Sequence, residues 1–215
     1  MHYNPPKDTA LDIIYCDDTL LVINKPGGLL SVPGRGEDKY DSLIVRIQKY
    51  YPDALIVHRL DMSTSGLMVI ALGKENERAI SILFQQRKVK KKYIAVVDGL
   101  VLPQKGEINL PLLTDWPNRP KQKVNFKDGK PSLTQYRVLS FNTTTTRLEL
   151  TPVTGRSHQL RVHMQSLGHA ILGDELYARK EAVDLADRLL LHASYLSFQH
   201  PKTGDKLTFN SEADF

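Results

Sequence analysis

A single cysteine, Cys16, stands in the whole 215-residue chain, which excludes an intrachain disulfide and a cysteine-based zinc site. Such sparing use of cysteine suits a reducing compartment, so cytoplasmic residence is the expectation. No stretch approaches the roughly 18 apolar residues of a membrane span. Met1 to Asp12 likewise carries no charged start followed by an apolar run, the pattern of a secretory leader. Metal-ligand spacing is missing too. His58, His169, His192 and His200 are isolated, and His158 and His163, five residues apart, fall on different faces of a helix. Each reads as a hydrogen-bonded structural histidine, and no metal is called for. "KPGGLLSVPG" lacks both the GxGxxG and the P-loop lysine patterns, so no nucleotide cofactor is implied, although Lys25, where a strand meets this loop, is a candidate phosphate contact.

What the chain does have is positive charge. Lysine and arginine total 29 against 24 acidic residues, a net charge of +5, with a pI near 9.2. Its placement says more than its total. "RKVKKKY" gathers Arg87, Lys88, Lys90, Lys91 and Lys92, and "RPKQK" adds Arg119, Lys121 and Lys123. One such run is as well explained by a solvated surface, whereas two in one chain favour contact with phosphates.

The apolar pattern predicts a mixed α/β fold. "TLLVINK" reads as a strand ending near Asn24, followed by a turn-rich segment with Pro26, Gly27, Gly28, Pro33 and Gly34. "DSLIVRIQKYYP" carries Leu43, Ile44, Ile47 and Tyr51 at helical spacing and stops at Pro52. "GLMVIALG" is a buried strand, "ENERAISILFQQR" a helix with Ala79, Ile82 and Leu83 inward, and "KYIAVVDG" a strand. Strands dominate from Gly106 onward: "GEINLP", "SLTQYRVLSF", "TRLELTPV", "LLLHASYLSFQHP" and "KLTFN". They are interrupted by "SHQLRVHMQSLG", a helix by its Leu160, Met164 and Leu167 spacing, with Gly168 as its stop. No linker or composition break appears, so residues 1–215 are expected to form one domain. Its centre is a largely antiparallel mixed sheet flanked by helices and loops.

The residues that draw attention chemically lie in "HRLDMSTSG". His58, Arg59 and Asp61 precede a polar turn and an apolar strand, a loop held at the rim of a sheet. On the later helix, His158, Arg161 and Gln165 share a face, and Arg161 sits in the first turn, where the helix dipole disfavours a cation. An anion should compensate it, and Asp61 is the candidate. A carboxylate held by a guanidinium stays ionised and oriented, as a nucleophile or base requires, but a purely structural ion pair fits the same residues. Tyr93, at a strand start behind the lysines, suits the core or a stacked nucleobase. A glycoside hydrolase would need a second acid as proton donor, and no convincing partner stands out.

Three motifs in order then resemble those of the RluA-type pseudouridine synthases. "HRLDMSTSG" resembles HRLDxxTSG, "KKKYIAVVDG" the lysine-x-tyrosine motif, and "GRSHQLRVHM" the GRxHQ(I/L)R motif. The likeness extends through "YNPP", "NKPGGLLSVPGR", "DWPNRPKQKV", "GKPSLTQY" and "ADF". It implies an RNA isomerase working without metal or organic cofactor. Uracil is detached from C1′ of a uridine, turned, and rejoined through C5. Asp61 then corresponds to the catalytic aspartate, Arg161 to the cation that pairs with it, and Tyr93 to the aromatic stacked on the target base. Arg59 corresponds to the residue filling the gap in the RNA stack, while His58 and His158 shape the loop. His58, Lys90, Lys91, Lys92, Arg119, Lys121 and Lys123 join Arg59 as expected RNA contacts. The implied partners are stem-loops of 23S rRNA and the anticodon stem-loop of tRNA, bound by a monomer that needs no membrane. With a first strand by about Ile13, no N-terminal S4-type module is expected. The same chemistry on another RNA, and a catalytically silent RNA-binding protein, are the alternatives.

Overall fold

The computed structural model describes residues 3–8 and 10–215. In chain order the strands and helices are β1 (Ile13–Cys16), β2 (Leu20–Lys25), α1 (Leu43–Gln48), β3 (Ala54–Ile56), β4 (Ser65–Leu72), α2 (Lys74–Gln85) and β5 (Lys90–Asp98). They continue with β6 (Lys105–Asn109), β7 (Leu112–Thr114), β8 (Gln122–Val124), β9 (Leu133–Phe141), β10 (Thr145–Pro152) and α3 (Gln159–Ser166), then α4 (Lys180–Val183), β11 (Leu191–Gln199) and β12 (Lys206–Asn210). The class is the expected mixed α/β one with largely antiparallel pairing. The chain forms two compact units, the first holding the described residues up to Lys91 with Ala193–Asp214, the second Lys92–His192 with Phe215.

In the first unit the strands run β1-β2-β4-β11, with β12 beside β11 and β3 beside β4. The β2–β4 pair is antiparallel from Leu20↔Ala71 to Lys25↔Gly66. All of "SGLMVIAL" in β4 is buried, as a strand covered on both faces must be, which is why the sequence shows an unbroken apolar run rather than alternation. On one face, Leu67, Val69 and Ala71 meet Leu20 and Val22 of β2, Leu196 and Phe198 of β11, and Ile80 of α2. Here α2 departs from expectation. Ile80 is its buried residue, with Leu83 and Phe84 packed partly against the cluster, whereas Ile82 is 39% exposed. The helix is turned so that i, i+3 and i+4 from Ile80 face the sheet.

The second unit orders β5-β10-β9-β6, each neighbouring pair antiparallel, with β7 and β8 forming a separate hairpin. The two strands of that hairpin escape sequence reading because each is only three residues long and Pro117 and Pro120 stand between them. Ala95 and Val97 of β5, Leu148 and Leu150 of β10, and Tyr136 of β9 build the core, which Leu160 and Met164 of α3 close. Leu167, expected on the same apolar stripe, is 38% exposed at the end of the helix.

Candidate active site

Asp61 lies in the turn between β3 and β4, and the main chain on either side of it is bonded to the loop that follows β2. The Leu60 carbonyl accepts from the Ser31 hydroxyl at 2.7 Å, and Ser31 Oγ in turn accepts from Leu60 N–H at 3.2 Å. The Met62 carbonyl accepts from Gly28 N–H at 2.8 Å and from Lys25 Nζ at 3.1 Å. Thr64 N–H closes the turn on the Asp61 carbonyl at 3.1 Å. The backbone carrying the carboxylate is therefore gripped, while the Asp61 side chain is half-buried and that of Arg59 exposed.

Lys25 corrects one expectation. It is fully buried, and its ammonium donates to Pro26 O at 2.8 Å, Leu29 O at 2.7 Å and Met62 O at 3.1 Å. Those three acceptors use all the protons of an ammonium group, so Lys25 ties two loops together and does not reach for phosphate. Burial pulls its pKa down to about 7, and the Asp61 charge nearby opposes the shift.

His58 faces the sheet as well. Its Nε2 accepts from Val69 N–H at 2.9 Å, and its ring stacks on Phe84 with centroids 4.4 Å apart. Burial first, and the Lys91 charge second, push its pKa down to about 3. The neutral ring shapes the loop and brings no positive charge at neutral pH.

The lysine run is divided by strand alternation and by its packing. Lys90 is exposed. Lys91 lies over the Phe84 ring, 5.7 Å from its centroid, and burial lowers its pKa. Lys92 pairs with Glu149 at 3.1 Å, a carboxylate that Arg137 also reaches at 3.2 Å. Tyr93 packs half-buried against the core of the second unit, opposite Leu150 of β10.

Arg161 is the third residue of α3 and is 5% exposed. The predicted polar face does not form as expected, because His158 precedes the helix with a left-handed φ of 53° and Gln165 is exposed. The α3 start is held instead by Gln159, whose Oε1 accepts from Thr154 Oγ1 at 2.7 Å and Arg156 N–H at 3.0 Å. Its Nε2 donates to Leu133 O and Thr134 Oγ1. An anion at Arg161 that the sequence did not disclose is Asp174. Nε and Nη2 of the arginine donate to its two carboxylate oxygens at 2.8 and 2.6 Å. The Tyr177 ring lies against the guanidinium, 5.2 Å from its carbon. His163 and His169 are the structural histidines expected: His163 bonds Thr134 Oγ1 at 2.9 Å and Leu110 O at 3.0 Å, and His169 bonds Asp98 O at 2.8 Å.

Arg119, Lys121 and Lys123 fall on the β7–β8 hairpin. Arg119 lies over the ring of Trp116 at 4.6 Å, and Lys123 pairs with Asp115 at 3.1 Å. Trp116 is 65% exposed and Phe126, just beyond β8, is 78% exposed. Large aromatics held in water on and just beyond a basic hairpin suit unstacked bases, a feature that the charges of "RPKQK" alone do not disclose.

The chain as a whole is similar to known proteins. The family model described as RNA pseudouridylate synthase matches residues 19–166. A Vibrio cholerae protein named dual-specificity RNA pseudouridine synthase RluA is 55% identical over 213 residues, 99% of this chain and 87% of that protein. The Escherichia coli protein of that name is 54% identical over 215 residues, covering 100% and 98%. Among solved structures, human RNA pseudouridylate synthase domain containing 1 superposes with a TM-score of 0.80 at 29% identity, over 97% of this chain and 86% of that one. A match spanning β2 to the last turn of α3, and so taking in the loop of Asp61, the strand of Tyr93 and the helix of Arg161, means that the chain belongs to the RNA pseudouridylate synthase family.

Proposed function

We propose that the protein isomerises uridine to pseudouridine in stem-loops of 23S rRNA and in the anticodon stem-loop of tRNA, acting as a cytoplasmic monomer whose chain works as one catalytic domain. The observation that carries this is identity of 54% and 55%, over nearly the full length, to relatives named for dual specificity. Among the described residues no helix is long and apolar enough to cross a membrane.

The reaction balances within the nucleotide. The N1–C1′ bond is exchanged for a C5–C1′ bond, and the proton lost at C5 is matched by one gained at N1. No redox step is involved, which is why side chains suffice. Asp61 is the carboxylate that drives cleavage at C1′, Tyr93 stacks on the target base and serves proton transfer at C5, and Arg161 is the catalytic cation. Arg59 takes the place of the everted base. Extruding a base costs a few kcal/mol, which stacking and pocket contacts offset. Support for these roles comes from the motif positions, together with the grip on the main chain around Asp61: a carboxylate that acts at one carbon must not drift. Lys90, Lys91, Lys92, Arg119, Lys121 and Lys123, with His58 shaping the loop, serve the RNA, their phosphate contacts positioning it without reading sequence.

Asp61→Asn tests the reading. Pseudouridine formation on a tRNA anticodon stem-loop and on a 23S rRNA stem-loop should fall to background while binding of both persists. Substantial turnover by that variant would remove Asp61 from the chemistry.

A further inference from the structure

Within the second unit, the surroundings of Arg161 are more ordered than an ordinary ion pair needs. Asp174 is buried, 1% exposed, and its Oδ1 is also held by Leu176 N–H at 3.0 Å and Tyr177 N–H at 3.2 Å. A carboxylate fixed by its own turn, and meeting the Nε/Nη2 edge of a guanidinium, sets the plane of that guanidinium. The next aromatic of the same turn, Tyr177, places its ring against that plane. Its hydroxyl accepts from Gln122 N–H at 2.7 Å and shares a 2.7 Å bond with His158 Nδ1. Gln122 is the first residue of β8, so one side chain touches the arginine, the residue before α3 and the base of the basic, aromatic hairpin.

We propose that Asp174 and Tyr177 are positioning residues for Arg161: the carboxylate fixes the plane of the guanidinium, and the tyrosine hydroxyl ties the β7–β8 hairpin to it. Hairpin seating and arginine orientation are thereby set together. This rests on Arg161 being the catalytic cation. In Asp174→Asn an amide oxygen can still accept from Leu176 and Tyr177 N–H, so the turn that carries the hairpin tie is kept and loss of the charge, which bears on the guanidinium, reads out in kcat. Loss of the Tyr177 hydroxyl leaves its ring and Asp174 in place but frees the hairpin, so it reads out in KM.

The experiment measures steady-state pseudouridine formation on an anticodon stem-loop transcript for Asp174→Asn, Arg161→Met, the double variant and Tyr177→Phe. Asp174→Asn should lower kcat by about 100-fold, the usual cost of a small misplacement at a reacting centre, with KM held. In the Arg161→Met background the same change should cost nothing more. Equal losses in both backgrounds, or none in the wild-type background, overturn the proposal. Turnover retained by Arg161→Met would instead overturn the catalytic reading of Arg161. Should Asp174→Asn fail to fold because Arg161 is left buried without its carboxylate, the double variant should recover the wild-type melting transition, and failure to recover it counts against the proposal. Tyr177→Phe should raise KM by about tenfold, the worth of a lost hydrogen bond, and lower kcat by less. A fall in kcat alone, or no change in either constant, overturns the hairpin tie.

Discussion

Val69 N–H donates to His58 Nε2, so that nitrogen must keep its lone pair in the folded protein. Burial and the neighbouring Lys91 charge hold the imidazole neutral down to about pH 3, whereas in the unfolded chain it takes a proton near pH 6.5. Between those values the unfolded state binds more protons than the folded one, so stability falls as the pH drops through this window and is level above it. His58→Gln should remove about 2 kcal/mol of the stability lost between pH 7 and pH 5, read from urea denaturation at both. An unchanged difference between the two pH values would show that the ring is not held neutral. The sequence offers His58, Asp61, Tyr93 and Arg161 as candidates because their motifs are contiguous. It did not disclose that Lys25 is buried and bonded to a carbonyl 37 residues away, nor that Arg161 meets Asp174, 13 residues on. Such partners carry no local pattern; only the folded backbone brings them within 3 Å or so of one another.

At the scale of elements, β4 owes its place to Gly66, the last residue of "HRLDMSTSG". Its φ is +114°, and an added Cβ would lie 2.4 Å from Ala193 O and 2.5 Å from Ala193 N, backbone atoms of β11 that cannot yield. The glycine thus allows β11 to lie against the strand that leads out of the Asp61 turn. Gly66→Ala should cost about 2–4 kcal/mol, from backbone strain and overpacking together. Gly204→Ala, also at positive φ but with nothing within 4 Å, should cost about 1 kcal/mol, the strain alone. Urea midpoints measure both, and equal losses would mean that the approach to Ala193 is not what requires glycine. Long apolar runs and helices with caps and stops were legible, as β4, α1 and α3 show. The orientation of α2 was not, because Ala79, Ile80, Ile82 and Leu83 offer more than one apolar stripe and the sheet decides which is buried.

Over the whole molecule, a charge of +5 says that phosphates are attracted but not which cations meet them. The fold separates the candidates. Lys92 is paired with Glu149 and Lys123 with Asp115, and Lys91 is packed over Phe84. Lys90 stands exposed, and Arg119 keeps its charge exposed over the Trp116 ring. Each phosphate contact releases condensed counterions and adds about 0.7–0.9 to the slope of log affinity against log salt. A cation already neutralised by a carboxylate displaces fewer. Replacing Lys90 and Arg119 together by glutamine should therefore flatten the slope for a tRNA stem-loop by about 1.5, with turnover at saturating RNA little affected. Replacing Lys92 and Lys123 should flatten it by clearly less. Filter binding from low to high KCl decides between them: equal slopes for the two double variants would mean that the carboxylates let go when RNA arrives, and an unchanged slope in the first would leave Lys90 and Arg119 as ordinary surface charge.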